Sequence, residues 1–463
     1  MIDRDRFEAL AASVCAAPPG VDRVLLAIAA ESSTFVRLNR ARVRQATAVE
    51  QCQATLSLVR GRKRIDCTLD LLGQPDEDAA QLCEARDALA RELGSIPDDP
   101  HLMLPSTVTD TCRDDVDDAP ASPGAGAPGM PAPAALLDAI AAAARPVSGA
   151  PPLDLVGFHA QGPALRAFAD SRGQRNWHRA ASFHLEWCLY SDADPGVRDK
   201  AVKTTFAGRR WDEAEFARRF ARSREQLAAL ARPNHPMQPG RVRALLAPAA
   251  VAELLGGLAW GGFGLKDRRT GTSSLQRLAA GTTTMSPQVR LVEATASGTA
   301  PAFTMDGFVR PDEVVLIERG RSVDALVSPR SAAEYAVRAN ADGAEAPHSL
   351  SLDGGTLPVD GALAALDSGI LIGNLWYLNY SDRPACRMTG MTRFACFRVE
   401  HGRILAPIGA MRFDDSLLDL FGARLEALTD TPDLIPSGDT WGARDLGSIR
   451  CPAMLVDGLN LTL

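Results

Sequence analysis

The sequence predicts an α+β protein, with N-terminal sheet-plus-helix units followed by a large, mostly antiparallel sheet-based C-terminal domain. Three observations carry this: a period-two hydrophobic pattern between Gln51 and Leu71, helical stripes that twice follow a strand-rich stretch, and a C-terminal half of short strands and glycine turns. At 463 residues with 46% hydrophobic composition, the chain can support several cores. A prior of roughly 100–200 residues per domain points to about three.

Cys52, Ala54, Leu56 and Leu58 alternate with Gln51, Gln53, Thr55 and Ser57, as a strand covered on one face requires. After the turn Arg60-Gly61-Arg62-Lys63 the pattern returns, with Ile65, Cys67, Leu69 and Leu71 against Arg64, Asp66, Thr68 and Asp70. From Asp76 the period becomes helical, and Ala79, Leu82, Cys83, Leu89, Ala90 and Leu93 form a stripe that ends at Gly94. Such a helix covers the apolar face of the hairpin, within a first domain spanning 1–112.

Residues 113–134 turn acidic and then become dominated by Pro, Gly and Ala, a composition that builds no core and reads as a linker. A middle domain, 135–235, holds strands between Leu153 and Arg210, then an amphipathic helix with Phe216, Phe220, Leu227 and Leu230 on one face. Strands followed by a covering helix thus occur twice, which suggests an internal duplication.

The C-terminal domain, 236–463, opens on a stretch whose only charge between Arg243 and Lys266 is Glu253. Pro248 near its start and Gly256, Gly257, Gly261, Gly262 and Gly264 in its second half argue against a membrane span. They predict a buried helix beginning at Pro248 and running into a glycine loop. Further on, Glu313 to Glu318 reads as a strand, and Arg393 to Ile408 as a hairpin folded at His401-Gly402.

A net charge of -7 and no run of basic residues interleaved with aromatics argue against a direct nucleic-acid binder. Nine cysteines without a C-x-x-C pair, together with an N-terminus lacking an apolar export segment, predict a reducing cytoplasmic setting. No H-E-x-x-H, G-x-S-x-G, Walker loop or dinucleotide fingerprint occurs. His178 and His184 are the closest histidine pair, and in a continuous strand they stand ~20 Å apart, too far to share one ion.

The segment Gly373 to Arg393 concentrates Trp376, Tyr377 and Tyr380 in a chain with only 5% aromatics, and adds Asn379, Asp382, Arg387 and Arg393. Aromatics supply contact area and arginines grip carboxylates, so the mixture suits a groove for a peptide or another subunit. A packed loop tying down a sheet edge, with Asp382 paired to Arg387 or Arg393, fits the same residues.

Several passages together resemble the TldD/PmbA family. They are the hairpin Phe35 to Leu71, the strand-rich middle ending at Leu230, Pro239 to Pro248, Phe303 to Gly307 with Leu316 to Gly320, and the ending Cys451 to Leu459. In active members of that family an H-E-x-x-x-H helix and a cysteine near the C-terminus hold zinc. Aligning the motif on Glu253 puts Ala252 and Gly257 at the histidine positions, and Cys451 lies in a passage resembling the metal-free TldE/PmbA type. The resemblance therefore implies a subunit that is not catalytic alone, without metal or other cofactor, with Glu253 as a remnant. It would partner a TldD-type peptidase subunit or itself in a dimer that handles unfolded peptides, engaging neither nucleic acid nor membrane. A self-sufficient peptidase or other hydrolase with a non-standard site, and a regulatory protein-binding module, are the alternative readings.

Overall fold

The computed structural model describes residues 2–115, 129–145, 153–191 and 200–462. Strands β1 (Arg23–Asn39), β2 (Arg42–Arg60) and β3 (Lys63–Asp70) form an antiparallel meander in which Leu58 faces Ile65 and Leu56 faces Cys67. This is the register that the alternating pattern requires. Helices α1 (Arg4–Val14) and α2 (Pro75–Glu92) cover it. α1 starts where the Asp3 carboxylate accepts the Arg6 amide at 2.8 Å, and α2 where Pro75 and three acids suit a helix N-terminus.

The second unit comprises β5 (Leu153–Asp170), β6 (Arg175–Ser191) and β7 (Ala201–Gly208), preceded by the short β4 (Asp110–Asp114) and helix α3 (Pro133–Ala143) and followed by α4 (Glu213–Leu230). β5 pairs antiparallel with β1, so strands from 1–112 and 135–235 share one seven-stranded sheet, ordered β3-β2-β1-β5-β6, with β4 and β7 both on β6. In topology, one meander and its helix mirror the other about the β1/β5 pair. The 113–134 linker stretch is part strand at its start and part helix at its end, and its central residues 116–128 lie outside the described residues.

One face of this sheet is helix-covered along its length. Val24, Leu26, Ile28, Leu165, Ala167 and Trp177 sit with α1 and α2, while Phe183, Leu185, Trp187 and Leu189 sit with α3 and α4. Phe216, Phe220, Leu227 and Leu230 are buried there, as the helical stripe requires. The opposite face meets the C-terminal domain: Phe168 packs with Phe303, and the Gln174 amide donates to the Gly307 carbonyl at 2.6 Å. Gly307 has φ 83° and a β-carbon there would lie 2.3 Å from the Phe168 ring, so only glycine fits the junction.

The C-terminal domain contains, in chain order, β8 (Gly240–Leu246), β9 (Leu291–Glu293), β10 (Val314–Glu318), β11 (Arg321–Ser322), β12 (Ser349–Leu352), β13 (Gly369–Asp382), β14 (Arg387–Glu400), β15 (Arg403–Pro407), β16 (Arg412–Ser416), β17 (Leu425–Leu428), β18 (Asp433–Pro436), β19 (Ser448–Cys451) and β20 (Met454–Leu461). They form a six-stranded sheet, β11-β10-β9-β12-β19-β18, and a seven-stranded sheet, β13-β8-β20-β16-β14-β15 with β17 on β20. β14 also pairs with β13, which curls the second sheet until its ends meet. Helix α5 (Pro248–Ala259) starts at the expected proline and packs against β8 and β13 on one side and β18 and β19 on the other. Burying Val251, Leu254, Leu255 and Leu258 there gives it most of its stability, at about 2 kcal/mol per side chain. Among the described residues no helix is long and apolar enough to cross a membrane.

Candidate functional site

The segment singled out by composition is not a loop but the hairpin of β13 and β14, and its pairing is repeatedly interrupted. Register shifts fall between Ile372 and Asn374, between Trp376 and Asn379, and between Tyr380 and Asp382. Two bulge residues, Tyr377 (φ 60°) and Phe394 (φ 59°), adopt the left-handed conformation, which costs an ordinary side chain roughly 1–2 kcal/mol. Strain of this kind persists where it re-aims a side chain. Trp376 is 48% exposed and Tyr377 78%, with ring centroids 5.2 Å apart in an edge arrangement. The Arg393 guanidinium lies 4.1 Å from the Trp376 ring centroid and 5.3 Å from that of Phe394, and has no carboxylate partner among the described residues.

Opposite Phe394 stands Lys203 of β7, with Nζ 5.9 Å from the ring centroid and 2.7 Å from the Glu186 carboxylate of β6. Burial pushes the neighbouring Cys188 thiol up to about 11 and raises the Tyr190 phenol; Arg393 acts on both in the opposing direction. Glu253 is the exposed position of α5. Its carboxyl is pushed up by desolvation among the packed elements and drawn back by Lys203. Trp376, Tyr377 and Arg393 therefore gather with Glu253, Lys203 and Phe394 along a seam where the N-terminal sheet meets α5 and the β13/β14 hairpin.

Asn379, Asp382 and Arg387 lie at the other end of the hairpin and are used internally. Asn379 accepts the Tyr380 amide at 2.8 Å, and Asp382 accepts the Ala385 amide at 3.0 Å in the turn. Arg387 forms an ion pair with Asp414, not with Asp382, which corrects the pairing expected for a packed segment. Close by, the Tyr380 hydroxyl makes hydrogen bonds with the Gly257 carbonyl (2.7 Å) and Ser274 Oγ (2.9 Å), and burial lifts its phenol to about 12. Arg383 stacks 5.1 Å from both the Trp260 and Tyr380 rings and donates to the Trp260 carbonyl, clamping the hairpin to the end of α5. Sequence reasoning missed Lys203, Glu186, Phe394 and this clamp. Only the exposed aromatic Trp260 at the glycine-rich end of α5 offered a local signal.

The zinc site that the resemblance implies for active relatives does not fit these residues. Ala252 is buried and offers no donor, and a β-carbon on Gly257 would lie 2.2 Å from Cε of Met388, itself fully enclosed. Cys451 does sit beside the start of α5, but its thiol is buried, is raised by that burial, and donates to the Pro248 carbonyl at 3.2 Å. Among the described residues no group of three or more His, Cys, Asp or Glu side chains is placed to hold a metal ion.

The family model for the PmbA/TldA metallopeptidase C-terminal domain matches residues 239–463. No curated protein matches the chain in sequence. Among solved structures, TldE from Thermococcus kodakarensis has the same fold, with a TM-score of 0.76 at 13% identity over 96% of this chain and 97% of that one. A candidate modulator of DNA gyrase from Bacteroides thetaiotaomicron gives 0.75 at 14% identity over 100% of both chains. One from Thermotoga maritima gives 0.69 at 14% over 99% of each. At such identities the likeness is one of fold.

Proposed function

We propose that this chain, whose residues 239–463 match the PmbA/TldA metallopeptidase C-terminal domain, is a TldD/PmbA-family protein that serves as a non-catalytic, metal-free subunit of a TldD-type zinc peptidase complex acting on unfolded peptides. The observation that carries the reading is the packing around Gly257. Ala252 offers no donor, and the end of the Met388 side chain occupies the space where a β-carbon at position 257 would sit. Without a metal there is no acidified water for Glu253 to deprotonate, and its raised carboxyl fits a remnant at the edge of the seam.

What remains on the seam suits holding a chain rather than cutting it. Trp376 and Tyr377 offer exposed area that loses little side-chain entropy on contact, and Arg393, with no ion-pair partner among the described residues, lies over the Trp376 ring and can take a carboxylate with two parallel bonds. Coexpression with a family member carrying H-E-x-x-x-H tests the proposal. A stoichiometric complex is expected, with its zinc on the other chain. Failure to assemble, or about one zinc bound per chain by this protein purified alone, overturns it.

A further inference from the structure

The N-terminal sheet has two basic turns, and their surroundings differ. At the β2–β3 turn acids answer part of the charge: Arg64 lies 2.8 Å from Asp66 and 2.7 Å from Asp306, and Lys63 lies 3.8 Å from Asp98, while Arg60 and Arg62 have no ion-pair partner among the described residues. At the β1–β2 turn Arg37, Arg40, Arg42 and Arg44 are all exposed, and none has an ion-pair partner among the described residues. In an acidic chain this is a local concentration of uncompensated positive charge. The turn itself places Arg40 (φ 52°) and Ala41 (φ 51°) in the left-handed conformation, where Asn-Gly is the favoured pair. A cation stands where backbone preference alone would not put one.

The same hairpin carries an open sheet edge. β3 covers β2 only from Gln53 to Arg60, and the last bond across that edge runs from the Leu71 amide to the Cys52 carbonyl at 2.8 Å. From Arg42 to Gln51, roughly 30 Å of strand, β2 has no outer neighbour among the described residues. Because bonding alternates along an antiparallel strand, the side of β2 on which Cys52 meets β3 is also the side to which Ala46, Ala48 and Glu50 direct their N–H and C=O groups. Ala46 and Ala48 are small and exposed, so a second backbone can approach. At the inner end of the edge the Gln51 amide donates to the Gly442 carbonyl at 2.6 Å, and the adjacent Trp441 is 94% exposed.

We propose that the Arg42–Gln51 edge of β2 binds an acidic peptide in extended conformation, which adds to the sheet as a further strand. Its backbone pairs with Ala46 and Ala48, its carboxylates meet the arginines of the turn, and an apolar side chain rests on Trp441. A second copy of this chain is disfavoured as the occupant, because its own Arg42–Gln51 edge carries two arginines against one glutamate and would leave the positive charge of the turn unanswered. The surface is separate from the Trp376–Arg393 seam and does not depend on a peptidase partner.

The probe is a fluorescein-labelled peptide of about ten residues alternating Glu with Val, titrated against the full chain by anisotropy. It should bind with an affinity that falls as salt rises, and a Lys–Val analogue should bind at least about tenfold more weakly. Ala48→Pro removes an outward N–H without removing a bond to β1 and should weaken binding at least about tenfold. The Arg42→Glu/Arg44→Glu double variant, at exposed positions that leave the core untouched, should do the same. Absence of binding by the Glu–Val peptide, equal binding of the Lys–Val analogue, or undiminished binding by the arginine variant overturns the proposal. So does a dimer that Ala48→Pro converts to monomers while the acidic peptide fails to bind, since the edge would then belong to a second copy.

Discussion

The two ends of the β13/β14 hairpin have much the same composition and opposite character. At the tip, Asn379, Asp382, Tyr380, Arg383 and Arg387 all bond within the fold: turn amides, the end of α5, Ser274 and Asp414. At the seam, Trp376 and Tyr377 are exposed, and the Arg393 guanidinium lies over two rings with no ion-pair partner among the described residues. The left-handed bulge residues Tyr377 and Phe394 belong to this second end. Aromatic and cationic composition therefore does not distinguish a fastening from a binding surface, whereas the presence of polar partners within the fold does.

If the tip is a fastening, changing it should cost stability. The largest effect is expected just beneath it, at Gly257→His, where the new side chain must displace the enclosed Met388. Overpacking of this kind costs about 1–3 kcal/mol. Thermal melting should show the loss, and added zinc should not restore it, even with Ala252→His alongside. Tyr380→Phe comes next. It leaves the Gly257 carbonyl and Ser274 hydroxyl without the phenol's bonds and should cost about 1–2 kcal/mol by denaturant unfolding. A loss comparable to that of a surface substitution would mean the tip is not fastened through this bond.

At the seam the same measurements should barely move. Trp376→Ala and Arg393→Ala remove exposed groups and should change stability by no more than about 0.5 kcal/mol. Each should nevertheless weaken assembly with a TldD-type chain, or capture of an unfolded peptide, by about tenfold. A double-mutant cycle in either binding assay should be strongly non-additive, because Arg393 rests on Trp376. Stability losses equal to those at the tip would erase the distinction.

Local signals in the sequence reached as far as local physics does. The β2–β3 register followed from alternation, the start of α5 from Pro248, and the buried face of α4 from Phe216, Phe220, Leu227 and Leu230. Pairing of β1 with β5, which joins residues more than a hundred positions apart, leaves no mark in either strand's own pattern. The seam was legible on its hairpin side, through Trp376, Tyr377 and Arg393, and at Glu253 of α5. Lys203 and Glu186 looked like ordinary alternating strand residues, and nothing in the run Thr392-Arg393-Phe394 announces a left-handed bulge. The metal question divides in the same way. Ala252 and Gly257 could be read directly, whereas the Met388 side chain that fills the Gly257 position comes from a strand far along the chain.

The smallest effect concerns Glu253, on the far side of the seam, and its sign is the informative part. Its folded-state carboxyl is raised by desolvation above the ordinary value of 4.5. Between 4.5 and the raised value the folded chain keeps a proton that the unfolded chain has lost, so stability falls as pH rises through that window and stays reduced above it. Glu253→Gln has no charge to desolvate. Its melting temperature should match the parent near pH 4 and exceed it near pH 8 by on the order of one degree, since the side chain is in part exposed and solvent screens the penalty. Lys203 opposes the shift, so Lys203→Met should push the Glu253 carboxyl higher still, read by its carbon-13 titration. A fall in melting temperature for Glu253→Gln near pH 8 would mean that attraction to Lys203 outweighs desolvation. The seam would then hold a working ion pair in place of a remnant acid.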